Sequence, residues 1–312
     1  MTHLISIIIP TYNRAGLIIE TLASITAQSY TNWECIIVDD GSNDSTTEIV
    51  SAYISTDNRF KLYNRPQYLT KGPNACRNFG FEKSKGYYIY WFDSDDLLFE
   101  NSIANRVENF EEEFDAVVAR ADFFDTDTGD KIFENKILSN NIIEDYFTGK
   151  ITYYVSGPMW RRTFLEKQIE LFDEKIRYLD DWDFNLRMIY QNPKIKFLEG
   201  TSFRYRSHPF SLSKQVGYLN IEELKSECIA RNKHLNLLLK HNIKNSKIEH
   251  FVLSRYKVIM RDILIDRNKS SFYFFKILFL TQLRFKDFKG LAKTCIGFPV
   301  YYFFNKGYIL IK

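Results

Sequence analysis

Glycine and proline are scarce in this chain, at 13 and 7 of 312 residues. A sequence so poor in both has little material for long flexible linkers and none for a collagen repeat. Cysteine is scarcer still: Cys35, Cys76, Cys228 and Cys295 lie far apart and form no CxxC pair. That argues against a disulfide framework and for reduced thiols in a cytosolic setting. The start of the chain shows no charged segment, apolar stretch and small-residue cleavage site in succession, so no signal peptide is expected. The longest nearly apolar stretch, 272–280, is interrupted by Lys276 and falls far short of the ~20 residues a membrane-spanning helix needs. Neither GxGxxG nor GxxxxGKS/T occurs, which removes the two familiar glycine-based phosphate cradles.

What is present is a globular composition, with 45% apolar and 26% charged residues. The length is enough for a full core in one large domain or two small ones. Aromatics are abundant, with 27 Phe and 20 Tyr. The net charge of +3 hides an asymmetry: residues 267–312 hold nine Lys/Arg and a single acid, Asp287, so residues 1–266 are mildly acidic.

The first hundred residues alternate strand and helix patterns. Apolar runs at 4–9, 33–38, 60–64 and 87–92 predict strands. Leu17, Ile18, Leu22 and Ile25 recur at helical spacing, and 45–54, 74–83 and 101–114 also read as helices. Ser45 with Glu48 has the form of a capping box, and Pro73 suits a first helical turn. A further strand is expected at 116–119 and a turn at 125–130. This order predicts an α/β fold with a mostly parallel sheet flanked by helices, whose ligands bind beyond the carboxyl ends of the strands. Polar clusters sit at those ends: Thr11-Tyr12-Asn13, Asp39-Asp40, and Asp93 to Asp96. Helical patterns dominate from about 221. The expected domains are 1–216 and a helical, basic and aromatic region, 217–312.

Each cluster has a functional and a plain reading. Asp93-Ser94-Asp95-Asp96 places three carboxylates after a buried strand, a set suited to Mg²⁺ or Mn²⁺ with substrate phosphates; otherwise it caps the next helix. Asp39-Asp40-Gly41-Ser42 makes a turn or accepts hydrogen bonds from a base or ribose. Asp180 is an N-cap or part of an acid pair with Asp181. Lys71-Gly72-Pro73-Asn74 with Arg77 faces phosphate at a helix start, or is punctuation. His208 is a ligand or a structural histidine.

Taken together, Ser6 to Arg14, Val38-Asp-Asp-Gly-Ser-Asn-Asp44, Ala75-Cys-Arg-Asn78 and Phe92-Asp-Ser-Asp-Asp96 closely resemble the inverting family-2 glycosyltransferases. The resemblance continues more weakly through Asp180-Asp181 and Tyr205-Arg206-Ser-His208 and stops near 215. It implies a GT-A, Rossmann-like fold and a nucleotide-sugar donor. By that resemblance Pro10, Tyr12, Asn13, Arg14, Asp40, Arg77, Asp93 and Ser94 bind the donor, and Asp39 supports its loop. Asp95 holds Mn²⁺ or Mg²⁺, with Asp96 and His208 as further candidates. Asp181 is the catalytic base, in a pair whose usual Glu is Asp180 here. The QxxRW signature of processive synthases is missing, which points to addition of one sugar.

The expected activity is transfer from a UDP-sugar to a glycan or lipid-linked glycan, in bacterial capsule, O-antigen or lipooligosaccharide assembly. The expected location is cytoplasmic, at the inner face of the cell membrane. The rivals are a non-catalytic nucleotide-sugar or glycan binder on the same fold and a nucleotide-sugar pyrophosphorylase; the latter wants a Gly-rich loop after the first strand. In the tail, Phe272, Phe275, Phe279 and Leu283 share a predicted helix face near Lys276, Arg284 and Lys286, with Tyr301 to Phe304 beyond. Such a surface contacts an anionic membrane or packs on the chain itself. Nucleic acid is not an expected partner, since the acidic body repels it.

Overall fold

The computed structural model describes residues 2–125, 128–207, 220–307 and Leu310. The chain divides into two compact units, Met1–Ser211 and Leu212–Lys312. The boundary expected at 216/217 lies outside the described residues.

The first unit opens with strand β1 (Ile5–Thr11), helix α1 (Ile18–Thr26), β2 (Trp33–Asp39), α2 (Thr46–Ile54), β3 (Phe60–Asn64), α3 (Pro73–Lys83) and β4 (Tyr88–Trp91). It continues with β5 (Leu97–Leu98), α4 (Ser102–Glu108), β6 (Ala116–Asp125), β7 (Lys131–Glu134) and α5 (Ile142–Phe147). It ends with β8 (Pro158–Arg161), α6 (Arg162–Leu165), α7 (Asp180–Tyr190) and β9 (Ile195–Ser207). All of β1, β2 and β4 is buried, as expected of strands covered on both faces.

One sheet runs β3-β2-β1-β4-β8-β6-β9-β5, with β7 beside β6. The expected parallel arrangement holds from β3 to β4. Beyond it the sheet is mixed: β8 is antiparallel to β4 and β6, while β9 is parallel to β6. Alternate β1 side chains feed two cores. Ile5, Ile7 and Ile9 pack with Leu22 and Ile25, and Ile8 packs with Val38, Phe79, Trp91 and Phe184. Helix α3 lies so close to β1 that a Cβ on Gly80 would stand 2.4 Å from Ile8 Cγ2.

Three local expectations change. Ser45 makes no side-chain cap bond; Asp44 Oδ1 accepts from the Thr46 amide instead, at 3.0 Å. Helix α4 stops at Glu108, because Arg161 draws the carbonyls of Glu111, Glu112 and Phe114 to its guanidinium. Strand β6 runs on to Asp125, paired with β9.

The second unit contains α8 (Ile221–Lys240), α9 (Ser246–Ile265), α10 (Ser271–Arg284) and α11 (Phe288–Phe304). Asn220 and Asn245 cap α8 and α9, each accepting two amides of the first turn. Buried Glu227 is answered by Arg231 and Arg255.

Candidate active site

Strands β1 and β2 end side by side, Thr11 opposite Asp39, so their loops meet. Asn13 holds φ 50°; its amide donates to Ser42 Oγ at 2.9 Å and its Oδ1 accepts from the Asn43 amide at 2.9 Å. Asp39 accepts from the amides of Gly41 and Ser42, at 2.9 and 2.8 Å, and from the Ser42 hydroxyl. Both side chains are therefore occupied in bracing the two loops. Pro10 is buried in β1, opposite Val38.

Asp40 is buried, and its Oδ1 accepts from Arg65 Nε. Arg65 is in turn held by the carbonyls of Pro66, at 3.1 Å, and Leu69. Among the described residues Asp40 Oδ2 has no partner. The ring of Tyr12 faces outward, with Lys71 Nζ 4.1 Å from its centroid.

The acid loop Asp93 to Asp96 follows β4 and is tied to its surroundings by three arginines. Arg206 donates to the Asp95 carbonyl, to Glu20 at 2.7 Å and to Thr21 Oγ1 at 3.0 Å, and its amide reaches Asp96 Oδ1 at 3.1 Å. Thr21 also donates to the carbonyl of Ser94, at 3.1 Å. Arg14 lies 3.2 Å from Asp95 Oδ2. Asp96 Oδ2 is buried with no hydrogen-bond partner. Burial, then the charges of Asp95 and Asp93, push the Asp96 carboxyl well above its usual range. Burial also raises Asp93, against the pull of Arg77.

Arg77 is the third arginine. From α3 it donates to Asp93 at 2.9 Å, Asp180 at 2.6 Å and Asn74 Oδ1 at 3.0 Å. It thereby ties the acid loop to the start of α7. Asp180 does not cap α7; its carboxylate is spent on this bond. The preceding Leu179 holds φ 66°, the kind of strained backbone that occurs at functional sites. Next to it Asp181 is raised to about 7, first by burial and then by the Asp180 charge, with Arg77 opposing.

One turn along α7, Asn185 Nδ2 donates to the carbonyl of Tyr154 at 3.0 Å, where Tyr154 holds φ 52°. The Tyr154 phenol is pushed up to about 12, mainly by burial and in small part by Asp181. Its ring lies 5.4 Å from Tyr205, and a stack continues through Phe123 to Phe133 on exposed β7.

The structure thus collects Tyr12, Asp40, Arg14, Arg77, the acid loop and Asp181 along the carboxyl edge of the sheet. His208 lies outside the described residues. Among the described residues no three His, Cys, Asp or Glu form a metal cage. Asp95, with the orphaned oxygen of Asp96, offers hard oxygen donors of the type that binds Mg²⁺ or Mn²⁺ through one or two carboxylates plus phosphate. Sequence reasoning missed Arg65, whose only signal was its position after the third strand, and gave Arg206 no role.

Comparison with known proteins bears on the family and the fold. The family model described as Glycosyl transferase family 2 matches residues 6–170, just over half of the chain. Glycosyltransferase GlyG of Streptococcus pneumoniae serotype 4 is 30% identical over 185 residues, covering 59% of this chain and 53% of that protein. The uncharacterized glycosyltransferase EpsJ of Bacillus subtilis is 27% identical over 224 residues, covering 69% and 64%. The chain therefore spans about half to two thirds of such relatives. S. aureus TarS 1-349 in complex with UDP-GlcNAc superposes with a TM-score of 0.59 at 18% identity, over 96% of this chain and 93% of that one. Mannosyltransferase PcManGT from Pyrobaculum calidifontis, in complex with GDP-Man and Mn²⁺, gives 0.56 at 14%, over 98% and 88%. At such identities the two structures speak for a GT-A-like fold. With the sequence match across the first unit, the chain belongs to glycosyl transferase family 2.

Proposed function

We propose that the chain is a metal-dependent, inverting glycosyltransferase that moves one sugar from a UDP-sugar to an acceptor hydroxyl. The observation that carries this reading is the Arg77 bridge. One buried guanidinium holds the acid loop, through Asp93, and the Asp180-Asp181 pair, through Asp180. A donor-side and an acceptor-side carboxylate are thereby fixed beside each other. UDP-GlcNAc in S. aureus TarS supports the choice of a UDP-sugar; the Pyrobaculum mannosyltransferase, with GDP-Man and Mn²⁺, supports a nucleotide-sugar donor and the cation.

The family resemblance and the contacts described above together support the following roles. Asp40 Oδ2 accepts a base N–H, held in place by Arg65 on the other oxygen, and the Tyr12 ring lies against the base. Asp93 takes the ribose. Arg14 sits beside the acid loop, within reach of the diphosphate. Asp95 and Asp96 would hold Mn²⁺ or Mg²⁺, which supplies neutralisation of the charge that builds on the leaving diphosphate. Asp181, raised to about 7, is suited to accept a proton near neutral pH. It takes the acceptor hydroxyl proton as that oxygen attacks the anomeric carbon from the face opposite the diphosphate. The carbon–phosphate-oxygen bond breaks, UDP departs, and the configuration inverts. Of the ring stack that runs from Tyr154, exposed Phe133 offers the acceptor sugar an apolar surface, while Phe123 behind it is buried in the core.

The acceptor is a glycan or lipid-linked glycan of bacterial surface-polysaccharide assembly, met in the cytoplasm at the inner face of the cell membrane. The test is UDP binding by calorimetry, then UDP release from a panel of UDP-sugars with Mn²⁺ and candidate acceptors. Release should stop in EDTA and in Asp95→Ala. Asp181→Asn should keep UDP affinity while losing turnover. Full release in EDTA, or a normal rate in Asp181→Asn, would overturn the assignment.

A further inference from the structure

Helix α11 is inverted relative to an ordinary surface helix. Such a helix turns large apolar side chains inward and charges outward. Here the buried side carries Gly290, Thr294, Gly297 and Phe298. The outward side carries Phe288, Ile296 and Phe303, which are 64%, 57% and 71% exposed. Exposed Ala292 and Cys295 lie between them, and all five fall within an arc of about 100°. Lys289 and Lys293, both exposed, follow next around the helix. The neighbouring helix α10 is alike: Phe272, Lys276, Leu280 and Leu283 are exposed along one stripe, while Phe274 and Leu278 point inward. The face expected from sequence included Phe275 and Phe279, but both are half-buried, and Phe275 lies 4.5 Å from the Phe298 ring.

The charge within 267–312 is almost all of one sign. Asp287 is the only acid of 267–312, and it is occupied by the Gly290 amide at 2.9 Å and by Lys257 at 3.5 Å. Among the described residues no helix is long and apolar enough to cross a membrane. A helix with outward aromatics and flanking lysines is built to lie in the plane of a bilayer, its apolar side chains among the acyl chains and its ammonium groups on anionic headgroups.

We propose that the outward face of α11 is the surface by which this chain sits on an anionic lipid bilayer. The inference deepens the proposed lipid-linked acceptor, yet it rests on the second unit alone. It makes the lipid composition, rather than a partner protein, the determinant of where the enzyme works.

Cys295 supplies a native probe. It is exposed on this face, whereas Cys35, Cys76 and Cys228 are buried, so a polarity-sensitive maleimide dye marks it selectively. The full chain, labelled and unlabelled, is mixed with vesicles of phosphatidylcholine alone or with about one third phosphatidylglycerol. The expected result is a blue shift and co-sedimentation with the anionic vesicles, weakened by added salt. Lys289→Glu with Lys293→Glu should lower partitioning at least about 30-fold, at roughly fivefold per lysine. Ile296→Asp should abolish the dye shift, while both variants keep the wild-type thermal midpoint. No response, an equal response to neutral and anionic vesicles, or full binding by both variants overturns the proposal. So does a dimer in sedimentation velocity that Ile296→Asp converts to monomer, because the face then belongs to a second copy. UDP calorimetry on the same samples separates the two readings: failure to bind UDP would end the donor assignment and leave the vesicle result standing.

Discussion

Replacing Asp181 by Asn should make the protein more stable, and only above acid pH. An unperturbed Asp titrates at about 3.9, while Asp181 is raised to about 7 by burial and the Asp180 charge. The folded chain therefore holds a proton that the unfolded chain has lost between about pH 4 and 7. Stability contributed by this site falls as pH rises through that window, is unaffected below it and is fully lost above it. At ~1.4 kcal/mol per unit, ionised Asp181 costs the fold up to about 4 kcal/mol at pH 8. The side chain is half-buried, so water screens part of this, and about 2–4 kcal/mol is expected. Asn carries no charge, and its Oδ1 still accepts from the Trp182 amide, a bond of 2.7 Å in the wild type. The gain corresponds to roughly 5–12 °C for a unit of this size. Urea unfolding of both proteins at pH 4 and pH 8 is the assay. A variant no more stable than wild type at pH 8, or equally stabilised at both pH values, refutes the reasoning. The expected pattern is that of a group retained for chemistry against stability.

The same group should set the pH dependence of turnover: about tenfold loss per pH unit below 7, with the limb moved to lower pH in Asp180→Asn, because the neighbouring negative charge is gone. An unmoved limb would detach Asp181 from the reaction. Arg77→Met strips the counter-ion from Asp93 and Asp180; breaking such a buried pair costs about 3–5 kcal/mol. Asp93 is partly exposed, so the lower end is expected in denaturant unfolding, with partial recovery in Arg77→Lys. A loss below about 1 kcal/mol would mean that the bridge is not structural. Asp40→Ala should weaken UDP binding about 10- to 100-fold in calorimetry, the usual worth of a hydrogen bond to a charged group; unchanged affinity would move the base elsewhere. Phe133→Ala, on the exposed β7 strand, should raise the acceptor KM several-fold at constant kcat. An unchanged KM would remove the aromatic stack from the acceptor path.

Much of the fold was legible because it is local. Strands β1, β2 and β4 are short, mostly apolar runs, since a central strand covered on both faces is nearly continuously apolar. Their polar endings mark the carboxyl edge, where a doubly wound sheet binds its ligands. The order of Asn13, Asp40, Asp93, Asp95 and Asp181 along the chain was enough to suggest the family and to nominate a site. Local signals also misled. The capping-box pattern at Ser45 lost to Asp44, one residue earlier, and the helical pattern past Glu108 lost to Arg161, whose guanidinium claimed the carbonyls.

What the tertiary structure alone decided is which charges meet. Arg77 joins Asp93, 16 residues away, to Asp180, 103 residues away. Arg206 reaches back 186 residues to Glu20. Arg65, unremarkable in sequence, closes on Asp40. The antiparallel pairings of β8 were likewise invisible, and of the outward face of α11 the sequence marked the aromatic cluster Tyr301 to Phe304 but not Phe288 and Ile296. Periodicity senses neighbours within a turn or a strand; a guanidinium chooses its carboxylates by the path of the backbone and by what burial leaves unsatisfied.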